Sequence, residues 1–121
     1  MTIDVRKHGE ICIFEFRGEL GFGPATALLS KTSKQAIENG ERHFLFDMRQ
    51  VPWLDSSGLG EVVACHKRAR AAKGVVKLVL QERSRSVFTV THLEKMFEMF
   101  DDLEPAIESF AGPDGGYKAR F

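Results

Sequence analysis

Apolar residues along this chain follow two different rhythms. Strand-like runs occupy Thr2 to Lys7, Glu10 to Arg17, His43 to Asp47 and Val75 to Leu80, the last β-branched or Leu throughout apart from Lys77. In Ile11-Cys12-Ile13-Phe14-Glu15-Phe16 the apolar residues reach more than one face, as in an interior strand. Helical spacing appears first in Ala25, Leu28, Leu29, Thr32, Ala36 and Ile37, and again in Leu59, Val62, Val63 and His66. Breakers separate these segments. His8-Gly9 reads as a hairpin turn, and Gly21-Phe22-Gly23-Pro24 as a loop whose proline opens a helix. Asn39-Gly40 stops that helix, and Gly74 stops the next one near Ala72. Further on, Ser84 to about Thr91 reads as a short helix with Val87, Phe88 and Thr91 inward. Met96 to Phe100 reads as a short edge strand, and Asp102 to Phe110 as a last helix with Pro105 in its first turn.

The resulting order, β-β-α-β-α-β-α-β-α, implies an α/β fold: a mixed, mostly parallel five-stranded sheet with about four helices and an antiparallel edge at its N-terminal hairpin. In such a sheet the loops leaving the carboxyl ends of the parallel strands share one rim. The Gly21–Pro24, Pro52–Ser57 and Gln81–Ser84 loops are therefore expected side by side, where a ligand or partner would meet all three.

At 121 residues, with 43% hydrophobic content, the chain fits one domain with one moderate core. We expect that domain over residues 1–111 and a poorly ordered tail over 112–121, which holds three glycines and a proline. Seventeen basic and seventeen acidic residues cancel, so no global field draws the chain to nucleic acid or an anionic membrane. The basic cluster His66-Lys67-Arg68-Ala69-Arg70 with Lys73 reads as a solvated helix face without interleaved aromatics. Cys12 and Cys65 are distant in sequence and form no metal-ligand pattern, so reduced, packed thiols are expected. His8, His43, His66 and His92 are scattered, which gives no metal site. With no signal-peptide pattern and no apolar run of about 18 residues, a soluble cytoplasmic protein is expected.

Chemistry concentrates in Leu54-Asp55-Ser56-Ser57-Gly58-Leu59-Gly60. Here a strand hands over to a helix, and two hydroxyls stand where the first backbone N–H groups are unpaired and the dipole favours an anion. Gly58 and Gly60 each cost about 1 kcal/mol against Ala in a helix interior, so close packing or unobstructed access must offset them. Ser56 reads either as the helix N-cap or as an acceptor of phosphate, and Asp55 as an alternative cap. Phe22, set between Gly21 and Gly23, is expected to be partly exposed on the same rim, where it could anchor a partner. Trp53 either joins it there or finishes the core above the third strand. No nucleophile elbow is present, because position 54 is Leu, and Gly58-Leu59-Gly60 lacks a Walker ending. No enzymatic activity and no cofactor are expected.

Asp55-Ser56-Ser57-Gly58-Leu59-Gly60 after an apolar strand resembles the signature of the anti-sigma-factor antagonists, which are STAS-domain proteins. Gly18-Glu19-Leu20, the order of apolar runs, and Lys73-Gly74 before the fourth strand extend the likeness over about residues 3 to 110. The resemblance implies phosphorylation at Ser56, the first serine after the aspartate, with Ser57 stabilising the turn. It implies a partner surface formed by Gly21, Phe22, Gly23, Trp53, Asp55, Ser57, Gly58 and Leu59. The partners it implies are an anti-sigma factor with serine kinase activity and a phosphatase; it does not fix an oligomeric state. Two positions depart from the family pattern. Gly21 stands where an aspartate is common, and Pro24 replaces a threonine. A scaffold or ligand-sensing STAS module that works without phosphorylation, in a signalling or transport-associated complex, is the alternative.

Overall fold

The computed structural model describes residues 1–111; the expected tail at 112–121 lies outside the described residues. Five strands form one sheet in sequential order: β1 (Thr2–His8), β2 (Ile11–Arg17), β3 (His43–Gln50), β4 (Val75–Val79) and β5 (Met99–Phe100). Only the β1–β2 pair is antiparallel, and every other neighbour pair is parallel. Four α-helices complete the fold: α1 (Pro24–Glu38), α2 (Ser56–Ala71), α3 (Glu82–Val90) and α4 (Leu103–Ser109). This is the expected mixed α/β sheet.

Sequential strand order has a physical consequence. When each parallel strand is added on the same side, right-handed crossovers deliver every connecting helix to the same face. The larger core lies under α1, α2 and α3, where Phe14, Phe16, Phe44 and Phe46 are all buried against Leu29, Val62 and Phe88. Phe14 and Phe46 stack with centroids 5.0 Å apart, and Phe16 tilts against Phe46 at 5.2 Å. Burying each such ring is worth about 1.5–3 kcal/mol. On the opposite face, among the described residues, α4 covers a smaller cluster of Ile11, Ile13, Leu45, Val79, Ala106 and Phe110. The two-faced apolar run of β2 is thus explained: alternate residues feed separate cores.

Local chemistry sets the element ends. Pro24 stands at the first helical position of α1, and Gly40 at φ 97° closes its end, with Gly40 N–H donating to the Ile37 carbonyl at 3.0 Å. Several boundaries differ from the sequence reading. β3 runs on to Gln50 because Arg17 pairs with Gln50 beyond a register shift that places one extra residue in β3 after Asp47. The expected Met96–Phe100 strand shrinks to Met99–Phe100, since Leu93–Lys95 forms a 3-10 turn and Phe97 is buried against Phe88. In α3, Phe88 is buried and Val87 packs against the core as expected, Ser84 is buried as well, and Thr91 is exposed, which corrects that one position. In α2 the buried stripe is Gly58, Val62, Cys65 and Ala69, with Leu59, Val63 and His66 on its margin. The basic cluster is likewise only partly a solvated face. Arg68 turns inward to pair with Glu61 at 2.9 Å and to donate to Ser33 Oγ at 3.0 Å, tying α2 to α1. Both thiols are free and buried, and burial pushes Cys12 up to about 11 and Cys65 up to about 12. No described helix is long and apolar enough to cross a membrane.

Candidate functional site on the rim of the sheet

The three loops predicted to share a rim are stitched together there. Leu20 and Leu54 form an isolated parallel bridge, with Leu20 N–H donating to the Trp53 carbonyl at 3.1 Å and Asp55 N–H to the Leu20 carbonyl at 3.3 Å. Gln81 Nε2 donates to the Arg49 carbonyl at 2.6 Å, and Ser84 Oγ reaches the Val51 carbonyl at 3.4 Å. Leu20 beside the first loop, Val51 and Leu54 at the second and Leu80 before the third are all buried, so each loop is pinned from below by an apolar side chain.

Asp55 is the N-cap of α2, which settles the choice left open between it and Ser56. Its extended backbone frees the carboxylate to face the helix start, where Oδ1 accepts from Gly58 N–H at 2.8 Å. The other oxygen, Oδ2, accepts from Phe22 N–H at 3.0 Å, so one carboxylate joins two loops. These backbone donors, Gly58 first and Phe22 second, lower the Asp55 pKa below its ordinary value. With the cap taken, Ser56 occupies the first helical position and is exposed. Among the described residues nothing hydrogen-bonds its hydroxyl. Ser57 is half-buried behind it.

The two helix glycines divide. A Cβ on Gly58 would lie 2.0 Å from the Leu20 carbonyl oxygen, so only glycine lets the helix sit on the preceding loop. Gly58 is also buried; its place is in the packing and not on the surface a partner could touch. At Gly60 an added Cβ would meet nothing within 4 Å, and the position is exposed.

Phe22 is 84% exposed and Trp53 51%, so both aromatics stand on the rim and Trp53 does not finish the core. Gly21 lies beneath Trp53: a Cβ there would be 2.9 Å from Trp53 Cζ3 and 3.2 Å from Asp55 Oδ2. The indole therefore occupies the room that a side chain at position 21 would need. Gly23, at φ 111°, caps α1 through backbone geometry that favours glycine. Leu59 is half-buried and packs against the main core. Gly21, Phe22, Gly23, Trp53, Asp55, Ser56 and Ser57 are thus gathered on one edge, with Gly58 and Leu59 supporting them. Sequence reasoning missed Leu20, whose carbonyl both receives Asp55 N–H and seats Gly58. An apolar residue isolated between turn residues, as in Gly18-Glu19-Leu20-Gly21, was the available signal. Among the described residues no group of three or more His, Cys, Asp or Glu side chains is placed to hold a metal ion.

A sequence model of the STAS domain family matches residues 2–106. The chain belongs to the STAS-domain family. Solved structures agree on the fold. This STAS domain is similar to an anti-sigma factor antagonist from Mycobacterium paratuberculosis, with a TM-score of 0.80 at 21% identity over 92% of this chain and 94% of that one. It is similar to the Bacillus cell fate determinant SpoIIAA in its phosphorylated form, with a TM-score of 0.72 at 21% identity over 92% and 100%. It also resembles a sulfate transporter family protein from Wolinella succinogenes, with a TM-score of 0.71 at 20% identity over 84% and 85%. At these identities the likeness is one of fold.

Proposed function

We propose that this STAS domain is a cytoplasmic anti-sigma-factor antagonist, a non-enzymatic binding module switched by phosphorylation of Ser56. The observation that carries the reading is the exposed Ser56 hydroxyl at the first position of α2, flanked on one rim by Phe22 and Trp53. In the unphosphorylated state the rim binds an anti-sigma factor that is also a serine kinase, and the sigma factor is released. Phe22 and Trp53 supply the apolar anchors of that contact. Phosphorylation places a charge near −2 on Ser56. The Asp55 carboxylate already faces the start of α2, so the added charge stays largely uncompensated within a desolvated contact. An unpaired interfacial charge costs about 2–5 kcal/mol, or roughly 30- to several-thousand-fold in affinity. A phosphatase restores binding, and no change of fold is required.

Incubation with a kinase-type anti-sigma factor and ATP, followed by mass mapping, tests this reading. The expected product is a single phosphate on Ser56, absent from Ser56→Ala, together with loss of kinase binding in Ser56→Asp. Modification at another residue, or none, overturns it. One observation favours a second reading. Gly21 presents no carboxylate beside Ser56, and the indole of Trp53 fills its place. A scaffold that uses the same rim without phosphoryl transfer would bind its partner equally well before and after incubation with the kinase and ATP, and would carry no phosphate.

A further inference from the structure

The opposite end of α2 carries a second site, apart from the rim. His66 lies ten residues beyond Ser56, which at 1.5 Å per residue is about 15 Å along the helix axis. There α2 and the Leu93–Lys95 turn enclose a groove of about 620 Å³ at the amino end of β4. Its volume falls within the usual range of small-molecule sites, about 300–1,000 Å³.

The lining is chemically lopsided. Four nitrogen-bearing side chains border it, His66, Arg70, His92 and Lys95, against the single carboxylate of Glu98 among the described residues. Glu98 is already engaged, with Oε1 3.1 Å from Lys77 Nζ. Among the described residues no carboxylate pairs with Arg70 or Lys95. His66 Nδ1 is buried and has no hydrogen-bond partner, while its ring packs 4.8 Å from that of Phe97. Glu94 in the same turn also buries an unpartnered oxygen, but it does not line the groove. The rest of the lining is apolar: Val75, Val76, Leu93 and Met96. His92 holds φ 62°, a left-handed conformation uncommon for a residue other than glycine and fixed here by its N–H donating to the Thr89 carbonyl at 3.0 Å.

We propose that this groove binds a small organic anion, its carboxylate or phosphomonoester head held by Arg70, Lys95 and the His66 ring and its apolar body resting on Val75, Leu93 and Met96. Cation clustering selects the head, and the apolar floor selects against a bare inorganic ion. The site does not depend on phosphorylation at the rim.

Amide NMR titrations of the full chain with phenyl phosphate, benzoate, inorganic phosphate and benzyl alcohol test the proposal. Phenyl phosphate or benzoate should saturate with a Kd below about 1 mM and shift the amides of His66, Arg70, Val76 and Met96. Inorganic phosphate and benzyl alcohol, each lacking one half of the ligand, should bind at least about tenfold more weakly. Arg70→Ala combined with Lys95→Ala, both at exposed positions, should lower the affinity about tenfold with the remaining spectrum unchanged, whereas Ser56→Asp should leave it as in wild type. Absence of saturation below about 10 mM overturns the site, as do shifts mapping elsewhere, equal binding of inorganic phosphate or benzyl alcohol, or unchanged binding in the double variant.

Discussion

Gly58 and Gly60 stand two residues apart in the first turns of one helix, yet physical chemistry assigns them opposite sensitivities. Replacing a helix-interior glycine by alanine gains about 0.5–1 kcal/mol where the space is free, by restricting the unfolded chain. Gly60 meets that condition, since a Cβ there touches nothing. Gly58 does not, because its Cβ would overlap the Leu20 carbonyl oxygen at 2.0 Å and drive α2 off the loop. Gly60→Ala is therefore expected to raise stability by about 0.5–1 kcal/mol and Gly58→Ala to lower it by about 2 kcal/mol or more, read from urea unfolding midpoints. The sequence disclosed both glycines as departures from helix chemistry but could not separate them. The separating fact is a carbonyl brought in from 38 residues earlier, which no local pattern records. Asp55 is similar: its fitness as a cap is legible from residue type, whereas its second bond to Phe22 N–H depends on two loops meeting.

At the scale of elements, strongly patterned segments were readable and those defined by their neighbours were not. α1 could be bounded from Pro24 and Asn39-Gly40 because both act through their own backbone. β5 exists only because Leu78 and Val79 pair with Met99 and Phe100, so its two-residue length is a product of the sheet. Lys77 broke the apolar run of β4 and is nonetheless buried at 7% exposure. Its ammonium donates to Ser109 Oγ at 2.9 Å and to the Ser109 carbonyl at 3.2 Å, and lies 4.4 Å over the Phe110 ring. A cation at the carboxyl end of α4 satisfies a carbonyl that the helix leaves free and complements its dipole. Lys77→Ala removes both the charge-assisted bonds and the packed aliphatic stem, at an expected cost of about 2–4 kcal/mol. Lys77→Met keeps most of the packing and should cost less than half as much. Hydrogen exchange of the α4 amides should accelerate in both variants, more so in the alanine one.

Across the whole molecule, the sheet presents its Phe-rich face to three helices and leaves part of the other face to charge. Beyond the cover of α4, Arg6 and Glu15 lie 3.7 Å apart, Arg17 contacts Glu15 at 3.2 Å and Asp4 at 3.7 Å, and Asp47 takes a bidentate contact from Arg49 at 2.9 and 2.8 Å. Pairs of this kind between exposed groups are worth little, but Asp47 is buried. Burial pushes its pKa up, and the Arg49 hydrogen bonds and charge outweigh that push, so the net shift is downward from 3.8. A carboxyl depressed in the folded state adds stability that is present above its unfolded value and is lost as the pH falls through the folded one. Thermal melts from pH 7 downward should thus begin to lose stability near pH 4, and Asp47→Asn should flatten that acid limb while lowering stability at pH 7. The topology of the sheet was legible because strand order and crossover handedness permit few arrangements. The α2 groove was not, since His66 and Arg70 come from a segment read as a basic helix face and Lys95 from the stretch between Thr91 and Met96, to which no element was assigned.

The bridge between Leu20 and Leu54 has an implication for molecular encounter. Because that rung, the seat of Gly58 and the two-handed grip of Asp55 fix the backbone of the edge in advance, an incoming protein would meet a set loop path, and ordering on this side would fall to side chains such as Phe22 and Trp53. Discrimination between visitors would then rest mainly on fit and charge, with any larger backbone rearrangement contributed by the visitor.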